Sequence, residues 1–499
     1  MKNRFCRLFS GLLAAAVVLC AVPRARAAGF ADVPADSWAA EDIYRCVELG
    51  VLQGQSADRF GMGRPMTRAA FVVSLCRLSG WELVTPSAPT YRDVQDPDVW
   101  YYSAVETAYV HGAITSQTDT FRPNDPITRE ELAVMLVRTL GYGTIAGLAQ
   151  DLPMPFTDVE TGAGYLAMAY ELGIVNGTSK TTFSPEKAAT REQAAVMLMR
   201  VYDACHAAPS LVGVCSGDGS GDWSGYTAVA LTGGRITYGG TAQVNRPAAE
   251  REQAFEQAVR AAGAKALLHV TAAGTVLSHS AGELAAAVAE AVDAGGYDGV
   301  YLDLPARSQQ DQQALTALAQ ALDGSLGEKL LYVAADAPSW DAGTEPAYDY
   351  RALGQAADCL VVRIAAYEKE VGGAVTAPME PLEEVYYALS RLSGDVDESR
   401  LCLLLTTTAS AWENGRERTL PGTEVETMLA EGAHSYYAQR YACSYLMKQE
   451  SGGTTTVWYL NEQSVRERVR MCAFFGVNRV CLSDTDAASQ LFCAGLRLD

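Results

Sequence analysis

The chain has 499 residues, with 59 acidic and 39 basic side chains and a formal net charge of −20. This length allows two or three domains, each with a substantial core. The excess of negative charge argues against nucleic acid or anionic lipid as the main partner and suits a soluble protein in a salty exterior.

The N-terminus has the pattern of a secretory leader. Three basic residues within the first seven positions precede the apolar run 8–22, and Ala-Arg-Ala at 25–27 offers a small-residue cleavage site. The run is short for a membrane span, and no second one follows it. We predict a signal peptide at 1–27, whose removal takes away five basic residues and leaves a net charge of −25. Because the C-terminus has no hydrophobic anchoring tail, we expect the segment after the leader to hold the protein at the cell surface.

Three related segments follow the leader. Each opens with an aromatic residue and, two positions later, an Asp-Val pair, and each ends with a Thr-Arg step that begins an apolar helix. The aromatic residues are Phe30, Tyr91 and Phe156, and the steps begin at Thr67, Thr128 and Thr190. Since the steps lie 61 and 62 residues apart, the segments are copies of one unit. We predict helix, turn and helix in each copy, with the apolar faces of the three copies packed together.

The Thr-Arg steps carry a second signal. Threonine is a good helix N-cap, and Glu131 and Gln193, three positions after their threonines, would complete capping boxes. An arginine in the first helical turn opposes the helix dipole, at a cost of about a few tenths of a kcal/mol. Its presence at Arg68, Arg129 and Arg191 therefore predicts an anion bound beside each one, where backbone N–H groups point outward. The alternative is that each arginine pairs with a carboxylate of its own copy.

The three copies resemble S-layer homology (SLH) motifs, whose pattern runs F-x-D-V, W-A, G-x-x-x-G, F-x-P and I-T-R-A-E. The resemblance implies an all-α unit of three prongs, with repeats at 28–86, 87–148 and 149–207. It implies an extracellular protein on the cell wall or S-layer surface, held non-covalently to pyruvylated secondary cell-wall polysaccharide in grooves between the prongs. The polysaccharide contacts that it implies are Asp32, Trp38, Gly54, Arg68, Asp93, Trp100, Arg129, Glu131, Asp158 and Arg191.

The copies depart from the SLH pattern at three positions. Ala70 replaces the glutamate of the first copy, Ser116 replaces a glycine of the second, and Thr161 stands where the third would have tryptophan. We therefore expect unequal grooves, with the second best supplied with contacts.

Residues 208–224 are predicted to be a linker, because they become rich in Gly, Ser and Asp from Ser216 onward. Ten cysteines remain after the leader, and five of them lie in apolar helix or strand patterns that favour buried free thiols over a disulfide framework. Cys205 and Cys215, which flank the flexible stretch, are the pair to test. The histidines show no ligand spacing, so we expect neither a metal nor another cofactor.

Residues 225–499 alternate short apolar runs with helical stretches. This pattern predicts a (β/α)8 TIM-barrel-like domain; a doubly wound open sheet is the alternative, but no nucleotide fingerprint supports it. The predicted strands are 226–231, 265–270, 299–304, 330–334, 359–364, 401–405 and 479–482. The predicted helices are 248–262, 282–294, 309–322, 382–392 and 463–474.

One segment links this barrel to a chemistry. Residues 296–305 read Gly-Tyr-Asp-Gly-Val-Tyr-Leu-Asp-Leu-Pro and resemble the D-G-x-x-x-D-x-E signature on the fourth strand of family 18 glycoside hydrolases, the chitinase-like enzymes. Further segments agree in order. Residues 265–270 resemble the third strand, 365–368 resemble the M-x-Y-D of the sixth, and 457–468 resemble the V-W-Y-x-D-x-x-S run before the last.

The resemblance implies a substrate-assisted mechanism, in which the closing glutamate protonates the glycosidic oxygen and the acetamido group of the substrate attacks the sugar carbon. The catalytic candidates that match are Asp303, Asp298, Tyr367 and Glu368, and the implied glycan contacts of the barrel are Tyr301, Tyr367 and Trp458. Pro305, however, stands in the place of the acid and cannot donate a proton. Loss of a general acid typically costs about 10²–10⁴ in rate.

We therefore predict an exported, wall-anchored protein with a degenerate barrel that binds amino-sugar glycan or peptidoglycan without hydrolysing it, or that acts as an envelope scaffold. The first alternative is an active N-acetylglucosaminidase-type glycosidase with a relocated acid, for which Glu368, Glu345 and Asp341 are candidates. The second alternative is a purely structural S-layer component, whose barrel has no affinity for glycan.

Overall fold

The computed structural model describes residues 29–149, 154–272, 275–340, 348–364, 376–413, 415–450 and 453–496. The predicted signal peptide and the candidates Tyr367, Glu368, Glu345 and Asp341 lie outside the described residues. Among the helices of these ranges, none combines the length and the hydropathy of a membrane span.

Each of the three copies contains a short first helix and a longer second helix, as predicted. The helices are α1 (Ala40–Glu48), α2 (Arg68–Leu78), α3 (Tyr102–Val110), α4 (Arg129–Thr139), α5 (Gly143–Leu148), α6 (Ala163–Glu171) and α7 (Arg191–Cys205). The second helices α2, α4 and α7 begin directly after the threonines of the Thr-Arg steps. The capping box of the second copy is complete, because Thr128 and Glu131 each accept from the backbone N–H of the other, and in the third copy Gln193 accepts from the Thr190 N–H at 3.3 Å.

The copies are joined at their centre by backbone hydrogen bonds and form a closed ring. One residue from each copy takes part in a triangle. The N–H of Ile127 donates to the Met66 carbonyl at 2.8 Å, that of Ala189 to Ile127 at 2.9 Å, and that of Met66 to Ala189 at 2.9 Å. Isolated β-bridges surround this triangle, at Pro65 with Thr190, Thr67 with Pro126 and Thr128 with Ala188. The unit is thus mainly helical, with short β pairing wherever two copies meet.

The rest of the chain forms a closed barrel and a separate sheet. The strands are β1 (Ser210–Cys215), β2 (Tyr226–Tyr238), β3 (Ala242–Asn245), β4 (Lys265–Ala272), β5 (Gly299–Leu302), β6 (Leu330–Asp336), β7 (Cys359–Arg363), β8 (Leu401–Leu405), β9 (Ala409–Glu413), β10 (Arg416–Leu420), β11 (Ser435–Ala438), β12 (Cys443–Glu450), β13 (Gly453–Tyr459) and β14 (Arg479–Leu482). The order around the barrel is β1-β2-β4-β5-β6-β7-β8-β14, and every pairing is parallel. Because β1 pairs with both β2 and β14, the ring closes with eight strands and the predicted barrel is confirmed.

The predicted linker at 208–224 is wrong, because it contains the first barrel strand. β1 lies between β14 and β2, and its Val212 and Val214 are buried inside the barrel. The Gly- and Ser-rich stretch that follows is a loop held to the barrel. Trp223 is buried, and the Arg251 guanidinium donates to the Gly217 carbonyl at 2.6 Å. The ring of three copies is therefore connected directly to the barrel.

Helices surround the barrel, and the additional sheet is inserted after the seventh strand of the barrel. The helices are α8 (Ala249–Ala261), α9 (Ala281–Ala294), α10 (Gln309–Leu326), α11 (Tyr350–Ala356), α12 (Leu382–Leu392), α13 (Gly422–Ala430), α14 (Glu462–Phe474) and α15 (Gln490–Ala494). All seven predicted strands and all five predicted helices are present, although β2 continues well beyond 226–231. The inserted sheet is antiparallel, in the order β10-β9-β13-β12-β11, and was not predicted.

The ring and the barrel are in contact through buried and half-buried polar groups. The Arg470 guanidinium of α14 donates to the Leu140 carbonyl at 2.9 Å and to the Tyr142 hydroxyl oxygen at 3.0 Å. The Glu171 carboxylate accepts from the hydroxyls of Tyr386 and Ser390 on α12. Arg470 thereby satisfies a carbonyl at the C-terminal end of α4, where a cation is also favoured by the helix dipole.

Candidate glycan-binding sites

The aspartate of each Asp-Val pair holds a turn of its own copy. Asp93 accepts from the N–H groups of Phe121 and Arg122, both at 2.7 Å, and Asp158 makes the equivalent bonds to Phe183 at 2.8 Å and Ser184 at 2.7 Å. These bonds stabilise an F-x-P turn whose middle residue, Arg122 or Ser184, has a φ of 60°. The carboxylates implied as polysaccharide contacts are thus engaged by backbone groups within the protein.

Asp32 does the same in the first copy. It accepts from Phe60, Gly61 and Met62 at 2.7–3.0 Å. Burial alone would raise the pKa of this carboxyl, but the three backbone N–H groups outweigh burial and lower the pKa. Gly54 also has a packing role, since a Cβ at this position would lie 2.6 Å from the Phe30 ring and 2.7 Å from the Ser56 carbonyl.

The arginines of the Thr-Arg steps connect each copy to the next. Each guanidinium is buried over a phenylalanine ring of the neighbouring copy, and its Nε donates to the carbonyl of that phenylalanine at 2.8–2.9 Å. The pairs are Arg68 with Phe121, Arg129 with Phe183 and Arg191 with Phe60, with guanidinium-to-centroid distances of 4.9, 4.6 and 4.8 Å. The expectation that backbone N–H groups here point outward is wrong. The N–H groups of the same arginines donate to carbonyls of the neighbouring copy at 2.9–3.0 Å.

Glu131 lies beside Arg68 and not beside Arg129 of its own copy. Its Oε1 is 2.7 Å from Arg68 Nη1 and also accepts from Arg122, while its Oε2 accepts from the Thr128 N–H at 3.0 Å. The alternative of pairing within one copy is therefore wrong for Arg68, whose carboxylate partner belongs to the next copy. Burial alone would raise the pKa of Glu131, but the Thr128 N–H and the two arginines outweigh burial and lower the pKa.

A groove lies between the second and third copies. We call it the second groove. It has a volume of about 500 Å³, and its lining includes Arg68, Phe121, Arg122, Glu131, Thr161 and Tyr165. Thr161 donates to Glu130 Oε1 at 2.8 Å. Trp38 and Trp100, which stand at the same position in the other copies, are 65% and 66% exposed. Of the implied polysaccharide contacts, these two tryptophans present the most free surface.

The barrel mouth, which we define as the end where the parallel strands finish, carries a network of charged side chains. Asp303, directly after β5, has its Oδ1 2.5 Å from Arg363 Nη1 and its Oδ2 3.5 Å from His269 Nε2. Arg363 also donates from Nε to Asp336 Oδ1 at 3.1 Å. Burial alone would raise the pKa of Asp303, but the His269 hydrogen bond and the Arg363 charge outweigh burial and hold the pKa below its usual value. The carboxylate that matches the signature is thus neutralised by a cation from β7.

Two other candidates lie away from this mouth. Asp298 precedes β5, so it lies at the opposite end of the strand, roughly 16 Å from Asp303 at the usual rise per residue. Its carboxylate accepts from the Ala266 N–H at 2.9 Å. Tyr301 is 1% exposed and packs among the side chains that fill the barrel. Neither residue can contact a sugar at the mouth.

Trp458 belongs to a row of aromatic side chains on the inserted sheet. Tyr436, Tyr445 and Trp458 are direct cross-strand neighbours on β11, β12 and β13, and so they lie on one face. Their ring centroids are 5.3 and 4.9 Å apart in order, and Tyr436 is 49% exposed. Trp458 Nε1 donates to Thr376 Oγ1 at 2.6 Å. We refer to these three residues as the aromatic row.

The face that carries the aromatic row is turned to the barrel mouth. Trp412, on the same face, lines a cavity of about 170 Å³ together with Ile364 and Thr406, which directly follow β7 and β8. Glu380 lines the same cavity and is 4% exposed. Its Oε1 accepts from the Thr406 N–H at 2.7 Å, and its Oε2 lies 3.8 Å from Arg468 Nε. Burial raises the pKa of this carboxyl.

Sequence reasoning named Asp303 and Trp458 but missed their partners, which are Arg363 at the mouth and Tyr436 and Tyr445 in the aromatic row. Arg363, at the end of an otherwise apolar strand, was a detectable signal, because a cation there must have a partner. The aromatic row also had a signal. Tyr436, Tyr445 and Trp458 lie in segments that contain Tyr, Trp, Thr and Val, residue types that are enriched in β strands.

Comparison with known proteins identifies the repeats. Residues 29–72, 90–133 and 155–195 match the S-layer homology domain. The chain carries three S-layer homology domains. An endoglucanase from Bacillus sp. (strain KSM-635) is 32% identical over 179 residues, which are 34% of this chain and 18% of that protein. An S-layer protein from Bacillus thuringiensis subsp. finitimus is 29% identical over 204 residues, which are 40% of this chain and 24% of that protein. This chain therefore spans less than a quarter of the length of either relative.

Solved structures share the fold of the barrel. A chitinase from Chromobacterium violaceum ATCC 12472 has a TM-score of 0.51 and 20% identity, covering 58% of this chain and 98% of that one. A class V chitinase from Pseudomonas fluorescens Pf-5 has a TM-score of 0.50 and 15% identity, covering 58% and 100%. The predicted chitinase-like barrel fold is confirmed. The S-layer homology domains indicate an extracellular protein associated with the cell wall, and the predicted localisation is confirmed.

Proposed function

We propose that this protein is anchored to pyruvylated secondary cell-wall polysaccharide by its three SLH domains, and that its barrel binds amino-sugar glycan without hydrolysing it. The signal peptide proposed at 1–27 would export it. Trp38 and Trp100 offer exposed aromatic faces for sugar rings in the SLH unit, and Tyr436, at the end of the aromatic row, offers one on the inserted sheet.

The observation that carries the proposal for the barrel is the ion pair between Asp303 and Arg363. In the substrate-assisted mechanism, a carboxylate at the position of Asp303 must orient the acetamido group while a neighbouring glutamate supplies the proton. Here the Asp303 carboxylate is bound to Arg363 at 2.5 Å, and proline stands where the proton donor would be. Both features oppose turnover, whereas binding requires only a surface that fits the sugar.

The aromatic row supports glycan binding by its geometry. The faces of aromatic rings carry partial negative charge, which suits the C–H-rich face of a sugar ring. Tyr436 is 49% exposed at the end of the row, whereas Trp458 is 7% exposed and packs against Tyr445, so Tyr436 is the member of the row that offers a ring to a sugar.

Binding of the mature full-length chain to soluble N-acetylglucosamine oligomers tests this proposal. We expect saturable binding that weakens about threefold to tenfold in Tyr436→Ala, because one ring face is lost. Tyr436→Phe keeps the ring and is the matched control, for which we expect affinity close to that of the wild type. Absence of any binding would favour the structural S-layer component instead.

A second candidate function is an active glycosidase, and Glu380 favours it. This carboxyl is buried at the mouth with a raised pKa, as a relocated proton donor would be. Arg468 opposes this role, because a guanidinium 3.8 Å away favours the ionised form. Release of reducing sugar that is lost in Glu380→Gln, with the fold intact, would support the glycosidase.

A further inference from the structure

A pocket lies where the ring meets the barrel. The ring supplies the C-terminal ends of α2, α4 and α7, and the barrel supplies one face of α14. The volume is about 470 Å³, within the range of about 300–1,000 Å³ that is usual for small-molecule sites, which are frequent at domain interfaces. We call it the seam pocket, and its lining includes Arg77, Trp81, Tyr202, His206, Arg466 and Arg470.

The seam pocket differs from the second groove in the charge of its lining. The seam pocket has three arginines, and none of the described residues that line it is Asp or Glu. The second groove also has three arginines, but three glutamates lie among them, at Glu130, Glu131 and Glu186. Because the whole chain has a formal net charge of −20, the seam pocket is opposite in sign to the protein around it.

Two of the three arginines have carboxylate partners outside the lining. Arg470 is held by Glu467 and by groups of the ring through its Nε and Nη2, so a ligand in the pocket would meet its Nη1. Arg466 Nη2 lies 2.8 Å from Glu462 Oε1, but both side chains are exposed. An exposed pair of this kind contributes little, so Arg466 can exchange Glu462 for a ligand.

Arg77 has no such partner. It is exposed, and across the ranges that the structure describes no carboxylate oxygen lies within 4.0 Å of its guanidinium. Its place in the last turn of α2 suits a cation, because the helix dipole is negative there. The dipole does not explain why α14 brings Arg466 and Arg470 to the same pocket, since like charges repel one another. An anion shared between ring and barrel would relieve that repulsion.

The pocket also contains aromatic side chains that are held in place. Trp81 stacks on His111 with ring centroids 4.2 Å apart, and Tyr202 stacks on His206 at 3.9 Å. These stacks fix the positions of Trp81 and Tyr202. The two rings therefore offer preformed apolar surface for the organic part of a ligand.

We propose that the seam pocket binds a small organic phosphate, whose phosphate group is shared between Arg77 of the ring and Arg466 and Arg470 of the barrel. A phosphate fits better than a single carboxylate, because it offers three acceptor oxygens and carries a charge of about −1.5 to −2 at pH 7. The seam pocket shares no lining residue with the second groove or with the cavity at the barrel mouth. The inference is thus independent of the glycan binding proposed above.

Calorimetric titration of the mature full-length chain with glucose 6-phosphate tests the inference, with inorganic phosphate and glucose as control probes. We expect one saturable site for glucose 6-phosphate. Inorganic phosphate should bind about threefold to tenfold more weakly, because it has no group to contact Trp81 and Tyr202, and glucose should not bind.

Variants of Arg77 show whether the probe occupies the seam pocket. Arg77→Ala should weaken the binding of glucose 6-phosphate about tenfold or more, because a hydrogen bond between charged groups is lost. Arg77→Glu gives the pocket a carboxylate, as in the second groove, and should abolish binding. Arg59→Ala is the matched control and should bind like the wild type, because Arg59 is also an exposed arginine of the first copy with no carboxylate within 4.0 Å in the described ranges.

The outcomes decide the inference separately from the proposed function. If neither phosphate probe binds, or if binding is unchanged in both Arg77 variants, the inference is wrong and glycan binding is unaffected. Equal affinity for glucose 6-phosphate and inorganic phosphate would contradict the role given to Trp81 and Tyr202. Because Arg77→Ala removes no side-chain contact described here, its effect on binding does not depend on a change of fold, and circular dichroism verifies this.

Discussion

Replacing Arg129 by alanine tests whether the Thr-Arg step holds the SLH ring together. The guanidinium is 3% exposed and connects α4 of the second copy to the loop of the third. The substitution removes its hydrogen bonds to the Phe183 and Asn176 carbonyls and leaves the carbonyl of the buried Phe183 without this donor. It also removes the cation–π contact with the Phe183 ring at 4.6 Å.

The expected loss of stability is large. Hydrogen bonds from a charged donor contribute about 1.5–3 kcal/mol each, and a partly desolvated cation–π contact contributes about 1–2 kcal/mol. These terms are not additive because they share one side chain, so we expect a loss of about 3–5 kcal/mol in the free energy of unfolding of the ring. Retention on purified wall polysaccharide should fall as well, since the grooves lie between the copies.

Hydrogen exchange of the α4 and α7 amides in the mature full-length chain measures this loss without assuming two-state unfolding of the whole protein. Arg92→Ala is the matched control, because Arg92 lies in the same copy, is exposed and pairs with an exposed Asp119. We expect the control to change stability by less than about 0.5 kcal/mol. If Arg129→Ala abolishes retention while amide protection stays at the wild-type level, the arginine acts on the ligand and the structural role argued above is wrong.

Three further predictions concern the aspartates of the Asp-Val pairs, the ion pair at the barrel mouth and the contact between ring and barrel. The folded-state pKa values of Asp32 and Asp158 are lowered, so their stabilising contribution is present above about pH 4 and is lost as the pH falls through those pKa values. The melting temperature of Asp32→Asn should therefore be lower than that of the wild type at pH 7 and should change less between pH 7 and pH 3. Parallel curves of melting temperature against pH for variant and wild type would contradict this. Arg363→Met should raise the pKa of Asp303, because an ion pair at 2.5 Å is lost. If NMR titration of the Asp303 carboxyl shows no higher pKa in the variant than in the wild type, the pairing is refuted. Arg470→Ala should loosen the contact between ring and barrel, because the Leu140 carbonyl and the Tyr142 hydroxyl lose their donor. Small-angle scattering should then show a larger radius of gyration. An unchanged scattering profile would count against a contact that depends on this arginine.

The barrel was predictable because its strands are apolar along their whole length. Runs such as 401–405 and 359–364 indicate strands buried on both faces, and seven of the eight barrel strands could be placed from this signal alone. β1 was missed because its apolar residues directly precede a Gly- and Ser-rich stretch, whose composition favours a linker. Closure of the ring requires β1, but a requirement of the complete fold is not visible in a local pattern.

The partners of the charged side chains were less predictable. Arg68 and Glu131 belong to different copies and lie 63 positions apart, so their contact depends on how the three copies close into a ring. The same is true of Arg363 and Asp303, which meet because β7 and β5 both end at the barrel mouth. The sequence identified Arg68, Glu131 and Asp303 as candidates and did not identify Arg363, and only the three-dimensional arrangement shows whether each cation faces a ligand, a carbonyl or a carboxylate.

The most direct test of the central claim is a prolonged incubation of the mature full-length chain with N-acetylglucosamine oligomers, with binding and the release of reducing ends measured on the same sample. A barrel whose Asp303 is paired with Arg363 and which has Pro305 in place of the acid should bind the oligomers and release no product above the background of the Asp303→Ala variant. Steady release of product by the wild type that disappears in Asp303→Ala would contradict the account.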